Sequence, residues 1–232
     1  MARPDCIIAV PSRGRPDRLT EFLKAATATS TARTEFHVLL DDDDAGIYAD
    51  VPWRPRVMVH IRRRAWLTEK LNRALVSAAV TVPVVGWLAD DTIPVTPGWD
   101  ALLLEALERA GPGVAFGNGG RRPGFPEHQV VSSGIVSALG WYFEPSLRHY
   151  YTDNVWSDLA DAAACRRYVP AAVIRHDHYE VTGAPRDETY ARAEVNGRID
   201  KDMYLAWRTR RFRQDAETVR QAIDKSTKAG VG

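Results

Sequence analysis

The stretch that decides the fold runs Val84-Val85-Gly86-Trp87-Leu88-Ala89-Asp90-Asp91-Thr92-Ile93-Pro94. It opens as an apolar run of strand length, which is typical of a strand buried on both faces of a sheet. The run stops at two adjacent carboxylates, Asp90 and Asp91, after which we expect a Pro-containing turn and a helix that starts near Pro97. Ligands of open α/β sheets bind at the carboxyl ends of the strands, so this position predicts a binding site.

Asp90 and Asp91 are expected to differ in role, because adjacent strand residues point to opposite faces of a sheet. Two carboxylates beside a buried strand repel each other unless a cation or a hydrogen-bond donor lies between them. A divalent cation, Mg²⁺ or Mn²⁺, held together with the phosphate oxygens of a ligand would satisfy both. The alternative is structural, with one Asp capping the following helix and the other solvated.

The first half of the chain alternates strands and helices. Strands are predicted over 6–10, 35–40 and 57–61, and helices over 18–28, with Asp17 as its N-cap, and over 67–79. This alternation predicts an α/β fold with a doubly wound, mostly parallel sheet and right-handed crossovers. The strand over 35–40 ends in four acids, Asp41 to Asp44, at the same edge as Asp90 and Asp91. Such a gathering of acids at one edge favours metal or phosphate binding over the structural alternative.

The second half of the chain is less regular. We predict a strand over 114–116 that leads into a Gly-rich loop over 117–124, then a strand, a turn and a short helix over 130–140. A helix starts near Thr152, short edge strands surround Pro170, and a polar, Arg-rich helix runs over about 200–223. We expect a single domain over 1–224 and a flexible tail over 225–232.

The composition limits the class of protein. The net charge of +1 provides no overall attraction to nucleic acid or membranes, so any such affinity must come from local patches. The two cysteines, Cys6 and Cys165, form neither a metal-binding spacing nor a disulfide framework, which fits a reducing cytoplasm. We see no signal peptide and no apolar run of membrane-spanning length, so we expect a cytoplasmic protein without membrane insertion. The oligomeric state is left open by the sequence.

Taken in order, these segments resemble the GT-A family of nucleotide-sugar glycosyltransferases, and most closely its small members from phages and bacterial polysaccharide clusters. The resemblance runs from Ile7 to about Tyr190. Its parts are Pro11-Ser12-Arg13-Gly14-Arg15, Asp41 to Asp44, Lys70-Leu71-Asn72, Leu88-Ala89-Asp90-Asp91, Thr152-Asp153, and His176 and His178 before Asp187-Glu188-Thr189-Tyr190. The resemblance implies a nucleotide-sugar half over about 1–112 and a smaller acceptor half over about 113–224. Ala89 stands at the first acidic position of the family's Asp-x-Asp, so the contact expected there must come from Asp90 or be absent.

The resemblance implies transfer of a hexosyl or pentosyl group from a nucleotide-diphosphate sugar, with a UDP-sugar favoured, to a hydroxyl acceptor. It implies that Mn²⁺ or Mg²⁺ is held by Asp91 with His178 or His176, where it would stabilise charge on the leaving diphosphate. A polar surface pair is the structural alternative for the two histidines. The candidate donor-binding residues are Pro11, Ser12, Arg13, Arg15, Asp42, Lys70, Asn72 and Asp90. Solvated surface charges are the alternative for the charged members of this set.

Asp153 matches the position at which the family carries its general base. In an inverting transferase such a carboxylate takes the proton of the acceptor hydroxyl as the new bond forms. Asp153 would lose this role in a retaining enzyme, and a helix N-cap is its structural alternative. Asp158 is a weaker candidate, one helical turn further on.

The candidate acceptor-binding residues are Asn118, Arg121, Arg122, Arg210 and Arg211. Arg62-Arg63-Arg64 with Trp66, and the segment from Trp207 to Arg213, combine cations with aromatic rings, a mixture suited to phosphate contact and base stacking. Phage-encoded relatives glycosylate hydroxymethylated pyrimidines, so the resemblance favours DNA as acceptor. A glycan, a protein or a small molecule is the alternative, and solvated helix faces would also explain each cluster.

Two other classes of protein stay open. A sugar-phosphate nucleotidyltransferase also combines a doubly wound sheet, metal-binding acids and a nucleotide. Such enzymes usually carry a Gly-rich loop with a following lysine after the first strand, whereas Ser12-Arg13-Gly14-Arg15-Pro16 has one glycine. A non-catalytic binding module in a phage particle or a polysaccharide complex is the second alternative, but it would not require acids at several strand ends.

Overall fold

The computed structural model describes residues 3–176 and 188–229. In the second range, side chains are described for residues 196–228. Eight strands form one sheet in the order β3-β2-β1-β4-β7-β6-β8-β5. The strands are β1 (Cys6–Pro11), β2 (Thr34–Asp41), β3 (Val57–Arg62), β4 (Val84–Trp87), β5 (Thr92–Pro94), β6 (Val114–Asn118), β7 (Gln129–Ser132) and β8 (Arg166–His176). The helices are α1 (Pro16–Thr29), α2 (Leu67–Ala79), α3 (Trp99–Ala110), α4 (Ser133–Leu139), α5 (Thr152–Ala162), α6 (Glu188–Arg210) and α7 (Phe212–Ala229), with a 3-10 helix over Ala45–Tyr48.

The first four strands in chain order pair in parallel, since β1 pairs with β2 and β4, and β2 pairs with β3. Strand β7 is antiparallel to both β4 and β6, β6 is parallel to β8, and β5 is antiparallel to β8. The predicted fold class, α/β with a doubly wound, mostly parallel sheet and a smaller C-terminal part, is confirmed. The carboxyl ends of β1, β2 and β4 meet at one edge, where both acidic clusters lie.

The core lies on both faces of the sheet, as the alternation of β1 requires. Ile7 and Ala9 pack on the face covered by α2, α4, α5 and α7, whereas Ile8 and Val10 pack on the face covered by α1 and α3. Gly86 of β4 is needed where β7 crosses closely, because a Cβ there would lie 2.6 Å from a side-chain carbon of Val130. Within the described ranges, no helix has the length and hydrophobicity needed to cross a membrane.

The structure corrects two predictions about strands. Thr92–Pro94, expected as a turn, forms β5 and pairs with β8. The region around Pro170, expected as short edge strands, is the 11-residue strand β8, which lies between β6 and β5. Pro170 is tolerated because the pairing of β6 with β8 shifts register between Phe116 and Asn118, so the missing N–H falls at an irregularity of the ladder.

Three predictions about helices are also corrected. Helix α1 begins at Pro16, so Asp17 lies in its first turn and is not its N-cap. The helix predicted over 200–223 is two helices that meet at Arg211. The helical structure predicted to end at about residue 223 continues to Ala229, and α7 packs Val219 and Ala222 into the core.

Candidate active site

A cleft of about 1670 Å³ opens at the carboxyl ends of β1, β2 and β4. Of the predicted site residues, the cleft is lined by Pro11, Ser12, Arg13, Arg15, Lys70, Asp90, Asp91, Arg121, Arg122, Asp153 and His176. The fold therefore brings most of the predicted donor, metal and catalytic residues to one place, although they come from both halves of the chain.

The loop after β1 holds the acid pair that follows β4. The hydroxyl of Ser12 donates a hydrogen bond to Asp90 Oδ2 at 2.7 Å, and Arg15 Nη1 lies 3.2 Å from Asp90 Oδ1 and 3.5 Å from Asp91 Oδ2. Burial raises the pKa of Asp90 to about 6, and the charge of Asp91 adds to this rise while Arg15 and Ser12 oppose it. Arg15 is thus the donor expected between the two acids. The two carboxylates also differ in their other partners, as their positions predict, since only Asp91 lies beside His176.

The acids after β2 are gathered around Arg13. Arg13 Nη1 lies 2.9 Å from Asp41 and 2.6 Å from Asp43, Lys70 Nζ lies 2.7 Å from Asp41, and Asp44 accepts the Gly14 N–H at 2.9 Å. Asp41, Asp43 and Asp44 are close enough to one another to hold a metal ion. The guanidinium of Arg13 already supplies a positive charge to them, so this cluster is better described as a set of ion pairs.

The structure places Asp42 away from the expected donor site. Its carboxylate accepts the backbone N–H of Arg64 at 3.2 Å, its side chain is exposed, and it does not line the cleft. Asp41 does line the cleft and is almost fully buried. The two neighbouring residues differ because β2 ends at Asp41 and the chain turns at Asp42. Of these two residues, Asp41 and not the predicted Asp42 is the one at the cleft.

His176 and Asp91 are brought together by the register of two strands. In the antiparallel β5–β8 pair Thr92 lies opposite His176, so the residue before Thr92 faces the end of β8. His176 Nε2 lies 3.4 Å from Asp91 Oδ1, and its Nδ1 lies 3.4 Å from Glu127 Oε2. Burial alone would lower the pKa of His176, but its hydrogen bonds to Asp91 and Glu127 raise it to about 9.

These residues fit a divalent cation. Two ligands bound to one ion at about 2.1 Å lie roughly 3 Å apart, which is close to the separation of His176 Nε2 and Asp91 Oδ1. Metal-binding histidines usually bond their second ring nitrogen to a carboxylate, and Glu127 is placed to do this for His176. His178, the other predicted ligand, lies outside the described residues.

Glu127 and His128, which precede β7, escaped the sequence prediction because neither belongs to a recognisable motif. The ring of His128 lies between those of Trp87 and His176, at 4.8 and 4.9 Å between ring centroids, tilted to the first and edge-on to the second. Burial lowers the pKa of His128 to about 3, and the nearby His176 adds to the effect. A neutral, buried His128 therefore packs against the side of His176 and limits its rotation.

Asp153 lies in the first turn of α5 and faces the cleft. Its Oδ2 lies 3.5 Å from Arg122 Nη1, and its Oδ1 accepts the N–H of the neighbouring Asn154. The N-cap of α5 is Tyr151, at φ 64°, and no side chain caps this helix, so Asp153 is not an N-cap. Burial raises the pKa of Asp153, and Arg122 opposes this rise.

Asn72 and Asp158 both make contacts that link separate elements of the fold. The amide of Asn72 bonds to the backbone of Tyr142 and Phe143 and does not line the cleft, so it fixes the segment after α4. Asp158 accepts the hydroxyl hydrogen of Tyr204 at 2.7 Å and pairs with Arg208, which ties α5 to α6. These contacts give both residues a part in holding the fold together.

The predicted acceptor-binding residues separate into two groups. Arg121 and Arg122 line the cleft, whereas Asn118, Arg210 and Arg211 do not. Asn118 accepts the Gly120 N–H at 2.9 Å, and Arg211 lies 3.6 Å from Asp215. Trp207 is 3% exposed and donates its indole N–H to Asp215, so it cannot stack on a base as the sequence suggested. Packing between α6 and α7 buries this ring. The sequence did not indicate its burial, because the residues around Trp207 are charged.

Solved structures with the same fold include glycosyltransferases. Residues 1–349 of S. aureus TarS match with a TM-score of 0.57 and 14% identity, over 73% of this chain and 59% of that one, so the chain spans less than two thirds of the TarS segment. Glucosyl-3-phosphoglycerate synthase from Mycobacterium tuberculosis, solved with Mn²⁺, UDP-glucose and phosphoglyceric acid, matches with a TM-score of 0.58 and 16% identity, over 88% of this chain and 79% of that one.

The same fold also occurs in 4-diphosphocytidyl-2C-methyl-D-erythritol synthase from Anaerococcus prevotii, with a TM-score of 0.54 and 10% identity, over 77% of this chain and 92% of that one. No protein-family model and no curated protein sequence matches the chain. The comparisons show a GT-A, Rossmann-like fold, and the reaction has to be argued from the site.

Proposed function

We propose that this protein is a metal-dependent glycosyltransferase that moves a sugar from a nucleotide-diphosphate sugar to a hydroxyl acceptor. The observation that carries the proposal is the meeting of Asp91 and His176, with Glu127 behind the histidine, in the cleft that also holds Asp153. The same fold in transferases, one of them solved with Mn²⁺ and UDP-glucose, supports it. A module that only binds its ligand would need neither a buried acid pair nor the further carboxylate of Asp153 in the same cleft.

For the donor, we propose that the loop after β1 and the end of β2 receive the nucleotide. Asp41, fixed by Arg13 and Lys70, offers a buried carboxylate to the base or ribose, the role first given to Asp42. Arg15, already between Asp90 and Asp91, is suited to a diphosphate oxygen because its planar guanidinium has several N–H donors. A UDP-sugar remains the favoured donor.

Asp91 and His176 would hold Mn²⁺ or Mg²⁺, which supplies positive charge to the leaving diphosphate when it is bound. The acceptor oxygen forms a bond to the anomeric carbon, the bond from that carbon to the diphosphate breaks, and its electron pair leaves with the diphosphate. In an inverting reaction Asp153 takes the proton of the acceptor hydroxyl. The raised pKa that burial gives Asp153 makes it a better base than a solvated aspartate.

For the acceptor, DNA that carries hydroxymethyl pyrimidines, in a phage-infected cell, is the specific proposal from the sequence, with a glycan or a protein as alternatives. Arg63, Arg64 and Trp66 line the cleft together with Arg121 and Arg122, which supports a polyanionic acceptor. Trp207 is buried, and Arg210 and Arg211 do not line the cleft. The basic surface at the cleft is therefore smaller than the sequence suggested.

The experiment is a panel of nucleotide sugars incubated with the protein, with and without Mn²⁺, and analysed for release of the nucleoside diphosphate. The proposal predicts hydrolysis of at least one donor that depends on the metal and is lost in Asp91→Ala. Asp50→Ala is the matched control, because Asp50 is an exposed carboxylate outside the cleft. An inactive panel with a folded protein would refute the proposal.

A further inference from the structure

We propose that Arg148 binds an oxyanion, a phosphate or a carboxylate, that is carried by the acceptor. The site is the wall of the cleft formed by residues 148–153 and by residues 196–201 of α6. The inference rests on the proposed function and deepens it, because it names the chemical class of the acceptor. It concerns a cationic residue that no motif in the sequence singles out.

The guanidinium of Arg148 is held in the cleft by two contacts. Its Nη1 donates a hydrogen bond to Asn196 Oδ1 at 3.1 Å, and its central carbon lies 4.9 Å from the ring centroid of Trp66. Asn196 is only 8% exposed, so the group that orients the arginine is itself fixed in the protein. An arginine oriented before its ligand arrives loses little side-chain entropy on binding.

The backbone of this wall is anchored by Asp200, which is completely buried. Its carboxylate accepts the backbone N–H groups of Arg148, His149 and Tyr150, at 2.9, 2.9 and 2.8 Å. Three hydrogen bonds to one carboxylate fix the chain that leads into α5 and Asp153. Because Asp200 is engaged with the backbone, it is not the partner of the Arg148 side chain.

Arg148 differs from several other arginines of the cleft, because it has no acidic partner among the described residues. Arg13, Arg15 and Arg122 each lie within 4.0 Å of a carboxylate, whereas Arg148 has none among the residues that the structure describes. The same holds for the exposed Arg198 and Lys201, which line the cleft beside it. Three cations on one wall, none of them within ion-pair distance of a carboxylate in the described part of the chain, form a surface that favours an oxyanion.

The position of this wall favours the acceptor over the donor. The diphosphate of the donor is assigned to Arg15 and the Asp91–His176 pair, whereas Arg148 precedes the proposed base, Asp153, in the same anchored segment. Trp66 is 50% exposed beside the guanidinium and offers an apolar face to the body of the acceptor. An acceptor held by its oxyanion at Arg148 would present a hydroxyl toward Asp153.

The test uses inorganic phosphate as the probe and the full-length protein saturated with UDP and Mn²⁺, so that the diphosphate site is already occupied. Phosphate binding, followed by calorimetry, should be saturable and should weaken by about tenfold or more in Arg148→Gln, the cost of a charge-assisted hydrogen bond. Lys201→Gln, on an exposed side chain, should weaken it severalfold without endangering the fold. Arg109→Gln removes an exposed arginine of α3 far from the cleft and should leave it unchanged.

Three results would overturn the inference. One is equal phosphate affinity in all four proteins, which means an adventitious ion only. Another is a loss of UDP affinity in Arg148→Gln, which would make Arg148 a donor ligand. The third is equal use of neutral and charged acceptors. If the wild-type protein binds no UDP and hydrolyses no donor, the proposed function fails instead, and phosphate binding by the protein alone still tests the subsite.

Matched acceptors identify the source of the oxyanion. Glycerol is compared with glycerol 3-phosphate, and a hydroxymethylated nucleoside with an oligonucleotide that contains it. The inference predicts that the charged member of at least one pair is preferred and that Arg148→Gln removes the preference through KM. A preference confined to the oligonucleotide indicates a phosphodiester, and one confined to glycerol 3-phosphate indicates a phosphomonoester.

Discussion

The Nε2 atom of His176 lies 3.4 Å from Oδ1 of Asp91, although the two residues belong to different halves of the chain. Their proximity follows from a three-residue strand, β5, which begins directly after Asp91 and pairs with the last residues of β8. The main effect of this short strand is therefore to bring Asp91 and His176 together at the candidate site.

Asp91→Ala should abolish metal-dependent binding of a nucleoside diphosphate and leave the fold intact. Calorimetric titration of Mn²⁺ in the presence of UDP measures this directly. If the carboxylate holds the ion, transfer should lose several kcal/mol of transition-state stabilisation, a fall in turnover of roughly a thousandfold or more. Mn²⁺ affinity that is the same in Asp91→Ala, Asp50→Ala and the parent would exclude Asp91 as a ligand.

Glu127→Gln should weaken Mn²⁺ binding by about 10- to 100-fold, because the carboxylate that orients His176 is replaced by a neutral amide of the same size. The affinity is measured from the electron paramagnetic resonance signal of free Mn²⁺. Glu105→Gln, on the exposed surface of α3, is the matched control. A variant that melts early yet binds Mn²⁺ normally would make Glu127 a purely structural residue.

Asp153→Asn should lower turnover by roughly 10²–10⁴-fold, the usual contribution of a general base. UDP and Mn²⁺ affinities should hardly change, because Asp153 is assigned to the acceptor. The melting temperature should also be nearly unchanged, since the side chain does not cap α5. Normal turnover in the folded variant would remove the catalytic role of Asp153.

Arg122→Gln should move the acidic limb of the kcat profile to higher pH. Burial raises the pKa of Asp153 and the positive charge of Arg122 lowers it, so removing that charge raises the pKa further. The base works when it is deprotonated, and a higher pKa therefore means lower activity at a given pH on this limb. The limb should be absent in Asp153→Asn. An unchanged limb in Arg122→Gln would mean that another group controls it.

The sequence predicted the first half of the fold well, because its evidence there is local. Helix α2 has the predicted bounds, and β2 and β3 differ from the prediction by one residue at their ends. The apolar positions of α2 and β2 coincide with their buried residues, whereas Met58, Val59 and Ile61 of β3 are exposed. The acids after β2 and β4 could also be recognised from the sequence, because each acidic cluster follows a strand that the local pattern predicts.

The sequence did not predict what depends on contacts between distant segments. Pro170 suggested an edge strand, and only the register shift between β6 and β8 explains its place inside the sheet. Glu127 and Arg148 have no motif, because their roles come from His176 and Asn196. Trp207 lies among charged residues in the sequence, and its burial depends on how α7 packs against α6.

The central claim is tested most directly by identifying the products formed from UDP-sugars in the presence of Mn²⁺. The account predicts release of UDP and free sugar, dependent on the metal and absent in Asp91→Ala, with the sugar passing to a charged acceptor when one is supplied. Formation of UTP and sugar 1-phosphate on addition of pyrophosphate, without release of UDP, would contradict it and identify a nucleotidyltransferase.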